Sequence, residues 1–256
     1  MIMVIGQNKG FSNEDVFKDK INNSKLSEIE SNIQNVLTFV NSNVRIDGRF
    51  KAFKKEGKGL AKKTDLFVTL DDIEFCRLSI KSGTGNSVHQ ENIYQFTKFL
   101  EDLGIEEELI QDLLFFHWGD GTYDGSGELA DRKKAGYLKT RFPEKIASIQ
   151  KIFTSAKKEI VERALIGEKN GTEPNYVIYF EDKNLNGLQI VDMGQVIKHH
   201  ISLKNMHNDL KIGNLTFQNY QRCLKGQEKT TNKNRNDIQF KWTRIASDMK
   251  KMSHDK

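Results

Sequence analysis

KKTDLFVTLDDIEFCRLSIKSG, residues 62–83, decides how the rest of the chain is read. Leu66, Phe67, Val68 and Leu70 form an apolar run with β-branched and aromatic members. Phe75, Cys76, Leu78 and Ile80 form a second run with partial alternation. Asp71-Asp72 between them is a turn pair and Ser82-Gly83 closes the second run, so a strand, a tight turn and a second strand are predicted. Antiparallel neighbours joined this way bring the start of the first strand beside the end of the second, and Asp65 and Lys81 occupy those two ends. A carboxylate that holds a hard divalent cation, beside a lysine that orients water or stabilises developing charge, can hydrolyse a phosphodiester. The same pair also fits a turn-capping carboxylate and a solvated lysine, because such pairs across hairpins are common.

Composition narrows the classes. The chain has 256 residues, long enough for one large domain or two modest ones, and its 37% hydrophobic content allows a packed core under a largely polar surface. No run approaches the roughly 18 apolar residues of a membrane span, and the start, MIMVIGQNKGF, is broken at Gly6-Gln7, unlike a signal peptide. Cys76 and Cys223 lie far apart with no zinc spacing. A soluble cytoplasmic protein in a reducing compartment is expected, with no membrane partner. The net charge of +5 is unevenly spread: residues 211–256 hold 11 Lys+Arg against 4 Asp+Glu, whereas the preceding 210 residues are slightly acidic. A basic end suits a phosphate backbone, and equally a solvated tail.

Taken in order, Ser12 or Asn13 is placed to cap a helix with Glu14 and Asp15 in its first turn. A second helix is predicted from the spacing of Leu26, Ile29, Ile33, Val36, Leu37 and Val40. Residues 44–63 are rich in Lys and Arg, as a loop or ribbon against a phosphate strand would be. The order GxxxxGK[ST] is absent from them, so no nucleotide cofactor is expected. Ser82–Ser87 is a small-residue loop expected to feed a helix with His89, Gln90 and Asn92 near its start, where backbone N–H groups suit a phosphate. A helix is predicted over 106–118, and one long helix from Arg141 to Gly167. The Asp120–Glu128 loop fits an EF-hand only in part and is read as a Gly/Asp insertion. Tyr176–Phe180 and Gly187–Asp192 form a predicted hairpin. Leu215–Gln218 and Ile238–Trp242 are predicted strands flanking a polar loop rich in Gln, Asn, Arg and Lys. Those side chains read base edges bidentately, although a disordered loop has the same composition. The element order implies an α/β protein with a mixed central sheet and a β-rich C-terminal lobe.

Thr64-Asp65, thirteen residues, then Ser79-Ile80-Lys81 resembles the PD-(D/E)xK nuclease signature, in particular that of small type II restriction endonucleases of the MspI and HhaI kind. Thr64 stands where the signature has proline, and Ser79 where it has its second acidic residue. The opening Gly10-Phe11-x-Asn13-Glu14 and the closing Ile238-Gln239-Phe240-Lys241 are similar to the two ends of that family.

The resemblance implies a restriction-endonuclease-like core over 1–167 and a DNA-recognition subdomain over 168–256. It implies Mg2+, with Mn2+ as substitute, on Asp65, the Ile80 carbonyl and Glu14, with Lys81 positioning the attacking water and Ser79 bonded to that water or to a metal ligand. It implies a monomer in a prokaryotic cytoplasm that cuts double-stranded DNA at a short site to leave 5′-phosphates. DNA contacts are expected from Gln90 and from Gln218, Asn219, Gln221, Arg222, Lys225, Gln227, Lys229, Lys233 and Arg235. A repair or structure-specific nuclease of the same fold, and a non-catalytic DNA-binding protein, are the alternatives.

Overall fold

The computed structural model describes residues 9–54, 63–84, 86–205, 210–219 and 235–254. The chain forms two compact units, each assembled from separated segments: 1–86, 166–198 and 244–256 in the first, 87–165 and 199–243 in the second. The crossing at 165/166 falls beside Gly167, and the segment 168–256 is divided between the units.

The first unit is built on a five-stranded sheet of β1 (Phe50–Phe53), β2 (Leu66–Leu70), β3 (Ile73–Ser82), β5 (Tyr176–Phe180) and β6 (Gln189–Asp192), in the order β1-β2-β3-β5-β6. The sheet is mixed: β3 and β5 run parallel and the other pairs antiparallel. The predicted hairpin is β2–β3, with Leu70 opposite Ile73 and both turn residues left-handed, Asp71 at φ 50° and Asp72 at φ 66°. Positive φ at both central positions matches the twist of the strands, and aspartate tolerates that region better than most residues. A bulge between Val68 and Thr69 shifts the register within β2.

Helices α1 (Lys9–Ile21) and α2 (Ser31–Val40) cover this sheet. Phe17, Ile21, Ile33 and Leu37 pack with Leu66, Val68, Leu78 and Ile178 in one buried cluster. Helix α9 (Ile245–His254) packs on β5 and β6 with Ile245, Met249 and Met252 buried, and none of these belongs to that cluster. The result is an α/β unit whose mixed sheet is flanked by helices. The edge strand β1 lies inside the stretch expected as a β-ribbon or loop and gives it a strand. Two sequence expectations change here. Helix α1 already runs from Lys9, so Asn13 and Glu14 sit within it, not at its cap. Helix α2 begins only at Ser31, after a short 3-10 turn at Leu26–Glu28.

The second unit holds a four-stranded sheet of β4 (Asn86–Asn92), β9 (Asp237–Trp242), β8 (Leu215–Asn219) and β7 (Lys211–Ile212), in that order. Its helices are α3 (Ile93–Asp102), α4 (Glu107–Trp118), α5 (Ala135–Arg141), α6 (Pro143–Ser155) and α7 (Lys157–Ile166), and α8 (Met193–Ser202) carries the chain from one unit into the other. Phe96, Phe153, Phe217 and Phe240 form an aromatic centre, with the Phe217 ring 5.4 Å from Phe240 and 5.5 Å from Phe153. The long helix expected over 141–167 is two helices, α6 and α7, parted at Ala156 (φ −107°, ψ 28°). The small-residue loop leads into strand β4, not directly into a helix; α3 starts afterwards, capped by the Asn92 side chain on the Tyr94 N–H.

Candidate active site

Asp65 sits one residue before β2, and its N–H donates to the Leu78 carbonyl at 2.8 Å, continuing the ladder. The register therefore sets its side chain over the last residues of β3. Its Oδ2 accepts three bonds: the Ile80 N–H at 2.6 Å, the Ser79 hydroxyl at 3.3 Å and the Lys81 Nζ at 3.4 Å. Lys81 Nζ also donates to the Ile80 carbonyl at 3.2 Å. The hairpin thus brings Asp65, Ser79, Ile80 and Lys81 together. Thr64 is buried and its hydroxyl donates to the Thr172 carbonyl at 2.5 Å, anchoring the approach to β2. The parallel pairing with β5, Lys81 opposite Tyr179, holds β3 from its other edge.

Glu14 comes to the same place from α1. Asn13, its neighbour, donates to the Ser82 hydroxyl at 2.6 Å and so ties the helix to the end of β3. Burial, and next the negative charge of Asp65, push the Glu14 carboxyl above its ordinary range. Lys54 opposes this through its hydrogen bond and charge, and Lys81 through its charge. The charges of Asp65 and Lys81 therefore both reach Glu14, Lys81 the more weakly. Lys54, two residues beyond Ala52 on β1, contacts Glu14 Oε2 at 3.0 Å and Asp15 Oδ1 at 2.9 Å. Sequence reading placed Lys54 only within a basic stretch; the one signal for a role here is that an edge strand pairing with β2 ends just before it.

Two carboxylates and a backbone carbonyl are hard oxygen donors of the kind that Mg2+ or Mn2+ prefers. The negative charge of Asp65 is one of the influences that raise the Glu14 carboxyl. Among the described residues no group of three or more His, Cys, Asp and Glu side chains could hold a metal ion.

The expected DNA-contacting residues are in the second unit. Gln90 is exposed on β4 and donates to Asp237 Oδ2 at 3.0 Å. Gln218 and Asn219 end β8, and Asn219 Nδ2 donates to the His117 carbonyl at 2.7 Å. Arg235 lies over the Trp118 ring, 5.3 Å from its centroid, and donates to the Gly125 carbonyl. These bonds hold Gln90, Asn219 and Arg235 to their own unit. Gln221, Arg222, Lys225, Gln227, Lys229 and Lys233 lie outside the described residues. In the Asp120–Glu128 loop, Asp120 Oδ1 accepts from Thr122 N–H at 3.0 Å and Asp124 Oδ1 from Ser126 N–H at 2.9 Å, so both carboxylates serve the loop's own turns.

Sequence reading missed a buried network in this unit. Glu91 accepts a bidentate pair from Arg163, with Nη2 to Oε2 at 2.7 Å, and lies 2.7 Å from His89 Nε2. Although burial raises it, bonds from His89 and Arg163 bring the Glu91 carboxyl below its ordinary range.

Among the described residues no helix is long and apolar enough to cross a membrane. No protein-family model matches the chain, and no curated protein matches it.

Proposed function

We propose that the chain is a metal-dependent endonuclease of restriction type that hydrolyses phosphodiester bonds in double-stranded DNA at a defined short sequence. The observation that carries this reading is the convergence on Asp65 Oδ2 of the Lys81 ammonium and the Ile80 N–H, with the helix that carries Glu14 tied to the end of β3 by the Asn13–Ser82 bond. The restriction-endonuclease-like fold and the monomeric state belong to the same proposal. So does recognition through residues 218–236, with Gln90 in support.

Asp65, Glu14 and the Ile80 carbonyl would hold Mg2+, or Mn2+ in its place. When bound, such an ion supplies Lewis acidity and a water of lowered pKa. The remaining work falls to the side chains. Ile80 N–H and the Ser79 hydroxyl fix Asp65 in one orientation. Lys81, which bonds Asp65 and the Ile80 carbonyl, would donate to the attacking water and to the charge that grows on phosphate oxygen. Products would carry 5′-phosphate and 3′-hydroxyl ends.

The test is digestion of a defined plasmid with Mg2+, beside Lys81→Ala and a chelator control. Discrete fragments lost in both controls are expected. Smearing would favour a non-specific or structure-specific nuclease, and intact DNA with tight salt-sensitive binding would remove Asp65–Lys81 as an active site.

A further inference from the structure

Lys54 contacts the candidate site from a direction that hairpin logic does not reveal. Strand β1 runs antiparallel to β2 with Phe53 opposite Phe67, so the next residue along, Lys54, arrives at the Asp65 end of β2. There its Nζ bridges two successive carboxylates of α1, Glu14 at 3.0 Å and Asp15 at 2.9 Å. The side chains differ in exposure: Glu14 is 18% exposed, Lys54 25% and Asp15 47%. The inner carboxylate feels the charges of Asp65 and Lys81, and the outer one is the more exposed. A lysine is a compact point charge on a flexible stem, and this one has two seats.

We propose that Lys54 sets the divalent-metal affinity of the site by competing with the cation for Glu14, with Asp15 as the seat it keeps when Glu14 turns to the metal. The inference rests on the nuclease reading above. Two opposing effects decide its sign. Removing Lys54 frees Glu14 to wander, which weakens metal binding. It also removes a positive charge one hydrogen bond from a ligand oxygen in partly buried surroundings, where the effective dielectric is about 20 rather than 80. The charge effect is the larger, because Glu14 is already confined by burial and by the neighbouring Asn13–Ser82 bond. Loss of Lys54 therefore tightens metal binding. Loss of Asp15 weakens it, because Lys54 loses the carboxylate that draws it away from Glu14.

The experiment is a Mn2+ titration of the full chain without DNA, following free Mn2+ by electron paramagnetic resonance. Wild type, Lys54→Met, Lys54→Arg, Asp15→Asn and Asp65→Ala are compared. The expected result is binding about tenfold tighter in Lys54→Met, within about threefold of wild type in Lys54→Arg, weaker in Asp15→Asn and lost in Asp65→Ala. Lys54→Arg keeps the charge and so controls for folding. Unchanged or weaker binding in Lys54→Met, with wild type binding normally and Asp65→Ala not, overturns the competition alone. A wild type that binds no Mn2+, or an Asp65→Ala that binds it normally, overturns the metal reading and this inference with it.

Discussion

Asp65 Oδ2 accepts the backbone N–H of Ile80 at 2.6 Å, so the carboxylate ahead of one strand is locked to the main chain of the next. Lys81, on the same strand as Ile80, reaches the same oxygen at 3.4 Å. The two positions should separate chemistry from folding. Lys81→Ala should lower cleavage by at least about a hundredfold while shifting stability by less than about 1 kcal/mol, since the pair is partly solvated. Asp65→Ala should abolish cleavage and also cost roughly 1–3 kcal/mol, because the Ile80 N–H loses its acceptor. Plasmid cleavage and urea unfolding of both variants provide the check, and equal destabilisation by the two would contradict the bonding described.

Arg163 and Glu91 pose a different balance. The Glu91 side chain is 2% exposed, and its two oxygens are held by Arg163 and His89. Arg163→Met should destabilise the second unit by about 3–5 kcal/mol by leaving a buried carboxylate without its cation. Converting Glu91→Leu in the same molecule should recover much of that loss. Both tryptophans, Trp118 and Trp242, lie in the second unit, so tryptophan fluorescence during urea unfolding reads it selectively.

His200 gives that unit a pH dependence. Its ring is buried against Trp242, 4.7 Å between centroids, and its Nδ1 accepts the Asn214 N–H at 3.3 Å. Burial first, then the charges of His199 and Lys157, push its pKa down to about 3 from 6.5. The folded state keeps the ring neutral while the unfolded chain takes up a proton below 6.5, so the contribution is complete above that pH and is lost as pH falls toward 3. The slope should approach 1.4 kcal/mol per pH unit within that window. His200→Phe should flatten the fluorescence-detected stability between pH 6 and 4 relative to wild type, and parallel curves would show that His200 is not the cause.

Gly125 has a left-handed backbone at φ 75°, and a Cβ there would stand 2.4–2.7 Å from the Trp118 ring. Gly125→Ala combines backbone strain with overpacking and should cost about 2–4 kcal/mol in the second unit. Tryptophan emission during urea unfolding, which reports on Trp118 and Trp242 in that unit, gives the readout. A variant as stable as wild type would mean the loop relaxes without cost.

The hairpin was legible because its information is local: two apolar runs, a turn pair tolerant of positive φ, and two chemical side chains at the ends that pairing must bring together. Lys54 and Glu14 were not legible as partners, since 40 residues separate them and neither carries a periodic signal. Strand β1 is short and alternates buried Phe50 and Ala52 with exposed Lys51 and Phe53, so its basic surroundings dominated the reading. Strand β4 was hidden for the opposite reason. Its buried His89 and Glu91 are polar, and their bond to each other and to Arg163, distant in sequence, makes their burial tolerable. The break between α6 and α7 falls at alanine, the best helix former, and thus announces itself in no residue preference.

The parallel pairing of β3 with β5 has a kinetic consequence. Lys81 and Tyr179 are register partners about a hundred residues apart, and the stretch between them contains the whole 87–165 segment of the second unit. Closing a loop of that length costs roughly 1.5 kcal/mol more in chain entropy than bringing Asp65 to Lys81 across the β2–β3 hairpin. Contacts of such high contact order form late. The carboxylate–lysine pair would then assemble early, on the nascent hairpin, and the β5 edge would arrive to brace it only after the intervening segment had collapsed.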